Sequence, residues 1–434
     1  EIANGDTNEA TMYKTILEQL AYRIYDESKE NDMEESFVLG VIFDYQQEYR
    51  GSKGSGIDVL KKLEEHKILE KKDIKYKFKY RYMYYYFTGS YIQNQLHPTE
   101  RKIKVKEIFS DLSKELNFNL ALFLAYDMNV QYEILPQIEE VCHSLLVEYK
   151  DFNYAKQREL LEKLEYNINK KVDRIFNIPK NADIAKLQIT NALKQDELES
   201  ELENATEKDA NQYSDEELEK ISIEYTKTIR TIEFLGDILK NYSSSIKRIP
   251  RMEIIELMYE ASMKLMGALY YSLEGMVDSI IEIVDEKAKE DDEEIAARSQ
   301  FKQKIQEFLS QFWAAFVSVN VSNLGYSLQS DRIVDEVLDV KSKKQCTFFR
   351  LVCIDYLIRT QNGHLPVKEI GECLRGKNKI DGFSKNILSN NVAGFLKNYQ
   401  FNIAEKKTVC SMLGFNIKDI LLDEQKNKVF LEDQ

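Results

Sequence analysis

The feature that most constrains the fold of this chain is its shortage of residues that break regular structure. Only 5 prolines and 16 glycines punctuate 434 residues. A β-sandwich or barrel needs a turn about every dozen residues, whereas long helices need few. Apolar residues make up 43% of the chain, enough to bury sizeable cores. We therefore predict a mainly α protein of roughly two to four domains.

A winged-helix domain with a trailing aromatic helix is predicted for residues 1–96. Apolar residues spaced three and four apart predict helices over 11–26 and 34–50, and a third, shorter helix ends near His66. Three helices followed by a strand or hairpin are typical of a winged helix. The aromatic helix that follows is predicted over 84–96.

Between these helices the sequence period changes from that of a helix to that of a strand. Aromatic and apolar residues from Ile74 to Tyr82 alternate with four cations, Lys75, Lys77, Lys79 and Arg81. Such alternation is expected of a half-buried strand whose rings point inward and whose charges face water. It is also compatible with nucleic-acid binding, with cations on phosphates and rings stacked on bases. We favour the structural interpretation and take the four cations as candidate interaction residues.

Beyond residue 96, helical periodicity dominates, and we predict an irregular α-helical superhelical array without a fixed repeat. Two acidic runs interrupt it. The predicted divisions are a first part of the array over 97–195, an acidic linker or solvated helix over 196–224, a long-helix bundle over 225–342, and a C-terminal helical subdomain over 343–434.

Charge and cysteine usage narrow the functional classes. The net charge of −14 argues against bulk nucleic-acid binding, because phosphates must be neutralised by Lys and Arg. The five cysteines are odd in number, dispersed and set in apolar stretches, which predicts reduced, mostly buried thiols in a cytoplasmic protein. No apolar run is long enough to predict a membrane span.

No catalytic or metal-binding motif is found. The Gly51–Gly56 loop resembles a phosphate cradle, but Gly56 is followed by Ile57 and Asp58 instead of the Lys and hydroxyl that a P-loop requires. None of the four histidines lies in a zincin motif, and the spacing of the candidate ligands matches no zinc module: Cys346, Cys353, His364 and Cys373. We therefore predict that this chain is not an enzyme and holds no metal or cofactor.

Several segments resemble the C-terminal region of bacterial STAND NTPases, the NLR-like ATPases. The segment from Phe78 to Tyr91 is similar to the end of their winged helix and the helix after it, although Gly89 stands where that family often has Ala. Three later segments resemble helices of the same region and occur in the expected order: 119–125, 231–242 and 409–414.

The resemblance implies a regulatory and sensor region. In such proteins an effector and a P-loop ATPase precede the winged helix, and many serve in defence against phage. ATP and Mg²⁺ are then expected only with that upstream domain, and a chain that begins at Glu1 instead of Met fits a longer polypeptide. The implied partners are a foreign protein trigger and further copies of the chain on activation. No membrane partner is expected, because the chain lacks a long apolar run.

Three points stay open at this level. In some STAND ATPases a winged-helix histidine contacts the nucleotide phosphate. His66 is the candidate, and an ordinary exposed helix-end histidine is the alternative. The chain could instead be a winged-helix nucleic-acid-binding protein. A third interpretation is a helical scaffold or oligomerisation module whose aromatic segment from Phe308 to Phe316 supplies an interface.

Overall fold

The chain is mainly α-helical, as predicted, with one small sheet. The computed structural model describes residues 7–27, 32–49, 55–148, 152, 215–287, 312–344, 346–375 and 379–418. It divides into two compact units. The first comprises Glu1–Ser144 and Ile229–Phe234, and the second comprises Leu145–Thr228 and Leu235–Gln434. The five predicted divisions are finer than these units and stay predictions.

The first unit begins with a winged-helix-like arrangement. Its elements are α1 (Thr7–Asp26), β1 (Met33–Glu34), α2 (Glu35–Tyr49), α3 (Gly56–Glu65), β2 (Leu69–Lys72) and β3 (Lys75–Phe78). The antiparallel sheet has the order β1-β3-β2, so the last strand in sequence is central. Met33 lies opposite Tyr76, and Leu69 lies opposite Phe78. All four side chains are buried, so they belong to the core of this unit.

Local signals set the ends of α3. Ser55 caps its first turn through a capping box with Asp58, which satisfies backbone N–H groups that have no partner within the helix. Of the predicted Gly51–Gly56 loop, residues 51–54 lie outside the described residues, and Gly56 is the first residue of the helix. The helix ends at His66, and Lys67 then adopts a positive φ of 58° to turn the chain into β2.

The predicted strand from Ile74 to Tyr82 is shorter in the structure. β3 ends at Phe78, and α4 (Arg81–Asn94) begins three residues later. Arg81 is therefore helical and not part of a strand. Tyr76 and Phe78 are buried as predicted, whereas Ile74, Tyr80 and Tyr82 are exposed. Ile74 lies in the turn before β3 and the two tyrosines lie at the start of a helix, so the alternation of a strand does not apply to them.

Helices complete the first unit. They are α5 (Pro98–Ser110), α6 (Glu115–Asp127) and α7 (Leu135–Ser144), with a π-helical turn at Val130–Ile134 before α7. α4 packs against both α1 and α6. In the α1–α4 contact, the hydroxyl of Ser90 donates to the buried carboxylate of Glu18 at 2.5 Å. The segment Ile229–Phe234 belongs to this unit, and Phe234 packs edge-on against Phe109 at 5.3 Å.

The second unit consists of helices in its described part. They are α8 (Asp215–Tyr242, apart from Ile229–Phe234), α9 (Arg248–Lys287), α10 (312–327), α11 (Val334–Lys344), α12 (Thr347–Thr360), α13 (Val367–Leu374), α14 (Gly382–Asn398) and α15 (Ile403–Leu413). α12 is buried on all sides and packs against α11, α13 and α14. A helix that is apolar all round is expected at the centre of a helical core.

Two sequence predictions fall partly outside the described residues. Of the acidic segment 196–224, residues 196–214 are not described, and 215–224 are helical. Of the aromatic segment, Phe308 is not described. Trp313 is buried, Phe316 packs on a core cluster, and Phe312 is 41% exposed. Two of the three described rings of that segment therefore contribute to a core.

Candidate interaction surface

The β2–β3 hairpin, the wing of the first unit, is strongly basic although the whole chain is acidic. Residues 67–79 contain six lysines and two acids. Lys75 and Lys77 lie on the face of β3 opposite the buried Tyr76 and Phe78. The backbone N–H of Lys79 donates to the carbonyl of Ile68 at 3.0 Å. The structure thus places three of the four predicted cations on the wing, two on β3 and Lys79 directly after it.

Carboxylates compensate only part of this charge. Lys77 faces Glu70 across the hairpin at 3.9 Å, and the hydrogen bond from Lys71 to Glu35 raises the pKa of that lysine. Lys72 and Lys75 lie directly opposite each other in the register, and among the described residues neither pairs with a carboxylate. Like charges directly opposite destabilise a hairpin. A partner that brings a carboxylate to these two charges would relieve their repulsion.

The fourth predicted cation lies apart from the wing. Arg81 is the first residue of α4, and its guanidinium lies 3.8 Å from the Glu115 carboxylate on α6. The Arg81 side chain is 52% exposed, so solvent screens this ion pair and its contribution to stability is small. Arg81 therefore borders the wing but does not continue it.

Two exposed tyrosines, which the strand interpretation placed inside, extend the basic surface. Tyr80 and Tyr82 are 46% and 56% exposed, and their rings stack with centroids 5.6 Å apart. The ammonium group of Lys79 lies 5.8 Å from the centroid of the Tyr80 ring. Tyr is among the residues most enriched in the energetic centres of protein interfaces, with Trp and Arg.

From this pair, an aromatic ridge continues along α4 and α6. Tyr86 follows Tyr82 by one helical turn and meets Phe123 edge-on at 6.1 Å. Tyr126, one turn beyond Phe123, is 74% exposed. Helix periodicity from Arg81 onward was the sequence signal for this ridge, because it places Tyr82 and Tyr86 on one face.

His66 lies at the C-terminal end of α3, where its backbone N–H donates to the carbonyl of Lys62 at 3.0 Å. His66 is exposed to solvent. The exposed position suits either of the two interpretations of this residue, so its role in contacting a nucleotide stays a prediction.

The residues considered as zinc ligands have other surroundings. Cys353 and Cys373 are buried, and burial raises the pKa of the Cys353 thiol to about 12. His364 instead pairs with Glu405, whose carboxylate lies 3.0 Å from its ring nitrogen. No group of three or more metal-ligating side chains is found within the described ranges. In the same ranges, no helix is both long and apolar enough to cross a bilayer.

The fold and this surface define a mainly α protein whose first unit is winged-helix-like and carries a basic, aromatic face. Residues 40–88 match the family model described as Novel STAND NTPase 4. The match spans α3, the wing and the larger part of α2, and it ends within α4. It supports a relation to the STAND NTPases, in agreement with the resemblance found in the sequence. No curated protein and no solved structure matches the chain.

Proposed function

We propose that this chain is the regulatory and sensor region of a STAND-type ATPase of an anti-phage defence system. The observation that carries the proposal is the position of the family match, because residues 40–88 include the wing and both exposed tyrosines, Tyr80 and Tyr82. In this proposal the winged-helix-like region contacts a P-loop ATPase domain that this chain does not itself supply. The helices that follow bind a foreign protein trigger.

The surface of the first unit suits such a contact. Its energy would come from Tyr80 and Tyr82, which bury large rigid rings at little entropic cost. Its specificity and association rate would come from the lysines of the wing. A protein partner that carries carboxylates opposite Lys72 and Lys75 would remove the repulsion between them.

The mechanism is a shift between two states. Without a trigger, the winged-helix-like region holds the ATPase domain closed. A trigger that binds the open state more tightly than the closed state shifts the equilibrium toward the open state. The difference in affinity must be large if a mostly closed protein is to become mostly open. Open copies then assemble, which makes self-association a result of activation.

The test begins with the native polypeptide that encodes this chain. A Walker A motif upstream of Glu1 is expected, together with ATP hydrolysis that rises when the trigger is added. Tyr82→Ala and Lys75→Glu should raise the hydrolysis rate without trigger, because each weakens the closed state. Lys102→Glu is the matched control, since Lys102 is exposed on α5 of the same unit, away from the wing in sequence.

Two results would remove the proposal. One is a native polypeptide, together with the proteins encoded beside it, that contains no P-loop. The other is hydrolysis that responds fully to the trigger when residues 215–434 have been deleted, because the sensor would then not be in this region.

Nucleic-acid binding is a second candidate function, which the uncompensated charges of Lys72 and Lys75 favour. It predicts that the chain retards DNA in electrophoresis at low salt, that salt weakens binding steeply, and that Lys75→Glu abolishes it. Unchanged DNA mobility at low salt eliminates this function and leaves the protein contact. The acidic net charge of the chain makes us place it second.

A further inference from the structure

Helix α10 of the second unit is uncharged, although the chain as a whole is rich in charge. Asp, Glu, Lys and Arg make up 31% of all residues, but none of them occurs in residues 312–327. A helix at the surface of a globular protein ordinarily presents charged side chains to solvent. This helix instead presents an uncharged face.

One side of α10 packs into the core of the second unit. Its residues follow one another at spacings of three and four, which places them on a single helix face. Each of them is 3% exposed or less: Trp313, Val317, Val321 and Leu324. The position of the helix is therefore fixed by its buried side, and the opposite side is free to serve another purpose.

The opposite side carries an apolar stripe. Phe312, Val319 and Tyr326 are 41%, 47% and 46% exposed. Because they are seven residues apart, they lie along one face of the helix and span about 21 Å. Asn323, the other exposed residue of 312–327, is polar but uncharged. Single exposed apolar residues are common, whereas three aligned on an uncharged face are typical of an interaction surface.

The Tyr326 end of the stripe is held in place from behind. The guanidinium of Arg359 lies 5.7 Å from the centroid of the Tyr326 ring. Arg359 is fixed in turn, because it donates to Asp355 at 2.6 Å and to the hydroxyl of Ser322 at 2.7 Å. A ring that is already ordered loses little freedom when a partner covers it, so the entropic cost of binding is low.

The spacing of the stripe fits a second copy of the same chain. Phe312 and Tyr326 lie seven residues on either side of Val319. Two stripes therefore match when the helices run antiparallel about a twofold axis at Val319, as an isologous contact requires. Phe312 of each copy then faces Tyr326 of the other, and Ala315 faces Asn323. Facing aromatic rings stabilise a contact beyond the area that they bury.

Charge also favours a second copy. Each chain carries a net charge of −14, so two copies repel each other over most of their surfaces. Like charges placed opposite each other in an interface oppose association strongly. A contact through 312–327 places none there, because that segment has no charged residue.

We propose that this chain self-associates weakly through the antiparallel pairing of α10 along the stripe of Phe312, Val319 and Tyr326. A strip about 21 Å long and about 10 Å wide is much smaller than the roughly 800 Å² per partner of a stable interface. The dimer is therefore in equilibrium with the monomer. This inference goes beyond the proposed function, in which copies assemble but no surface is named for their contact.

Sedimentation velocity of the full chain over a range of concentrations tests the proposal. The average sedimentation coefficient should rise with concentration. Val319→Lys places two ammonium groups against each other at the axis, so it should raise the dissociation constant at least about tenfold. Ile223→Lys on α8 is the matched control, because Ile223 is 44% exposed in the same unit. A wild type that stays monomeric, or an equal effect of the control, would overturn the proposal.

Cysteine cross-linking tests the antiparallel geometry. Val319→Cys should form a disulfide with its own copy, since the two positions meet at the axis. Phe312→Cys and Tyr326→Cys should cross-link when mixed, but not alone, because identical positions are then about 21 Å apart, too far for a disulfide. The wild type, with five cysteines of its own, serves as the blank. Cross-links of Phe312→Cys with itself, or none from Val319→Cys, contradict the proposal.

The stability of the variants separates this contact from other uses of the stripe. In dilute solution Val319→Lys should unfold at the same urea concentration as Ile223→Lys. A lower midpoint together with unchanged sedimentation would show that the stripe is covered within the chain itself, which overturns the proposal. If the lysine variant does not fold, the conservative Val319→Cys still decides. None of these measurements requires an ATPase, so the absence of a P-loop would remove the proposed function and leave this inference standing.

Discussion

Replacement of Gly325 by alanine should destabilise the second unit strongly, because the helix that carries it approaches a buried ion pair closely. A Cβ atom at this position would lie 2.2 Å from Oδ2 of Asp355 and 3.1 Å from its Cβ. Ordinary contacts begin near 3.4 Å, so the carboxylate would have to move by more than an ångström. That oxygen is the one that accepts from Arg359.

The magnitude follows from two effects. Overpacking a core typically costs about 1–3 kcal/mol, and removing one partner of a buried ion pair costs about 3–5 kcal/mol. Displacement weakens the pair without removing it, so we expect Gly325→Ala to lower the free energy of unfolding by about 2–4 kcal/mol.

The assay uses the only tryptophan of the chain. Trp313 is buried in the second unit and packs against Phe152 at 4.8 Å, so its fluorescence during urea unfolding reports on that unit. Gly371→Ala is the control, because a Cβ there would meet Met412 at an ordinary 3.7 Å. Alanine should stabilise that helix by up to about 1 kcal/mol.

A double-mutant cycle isolates the cause. In an Asp355→Ala background most of the collision disappears, so Gly325→Ala should cost at least about 1 kcal/mol less there than in the wild type. An equal cost in both backgrounds would refute the proposed clash, as would a cost no larger than that of Gly371→Ala.

Three further predictions concern the second unit and can be checked by the same fluorescence. Gly236→Ala should cost about 1–3 kcal/mol, because its Cβ would lie 2.5 Å from the backbone oxygen of Ser327. Arg251→Met should lower the free energy of unfolding by about 3 kcal/mol or more, because Glu336 is only 3% exposed and loses its ion-pair partner at 2.5 Å. A loss below about 1 kcal/mol would show that the pair contributes only as a surface pair does. Burial raises the pKa of Asp355 from 3.8 to about 6. The free energy of unfolding should therefore fall by about 3 kcal/mol as pH rises from about 4 to 6 and the buried carboxyl loses its proton. Asp355→Asn should flatten this part of the stability profile, and an identical profile in the variant would contradict the burial argument.

The sequence was most informative where apolar periodicity was long. The helices predicted over 11–26 and 34–50 correspond to α1 and α2, and the third helix ends at His66 as predicted. Each of these helices buries one face, so the spacing of its apolar residues matches the residues that form the core. The mainly α class followed from the scarcity of proline and glycine.

The sequence was least informative where the structure changes period without a signal. Tyr80 precedes α4 without any side-chain cap, so nothing in the residue types marks the change from strand to helix. Tyrosine is also common both in strands and at exposed interfaces. The exposure of Tyr80 and Tyr82 therefore has no local signal, and the four-residue spacing of Tyr82 and Tyr86 indicates a shared face only once the start of α4 at Arg81 is known.

The buried ion pair of Asp355 and Arg359 could not have been predicted either. Asp355 lies in an otherwise apolar run, where an acidic residue is usually assigned to a solvated face. Its burial depends on the close approach of Gly325, which lies thirty residues earlier. Such a contact is a property of tertiary packing and leaves no local pattern.

The discontinuity of the first unit has a consequence for biosynthesis. This unit needs Ile229–Phe234, which leave the ribosome long after Ser144. Until then, Phe109 lacks the ring of Phe234, and Phe118 lacks the guanidinium of Arg230 that lies 4.9 Å from its centroid. A nascent chain that stalls before residue 229 would thus expose aromatic surface that chaperones recognise. The first unit, although most of its residues are synthesised early in this chain, can be completed only after Ile229–Phe234 have been made.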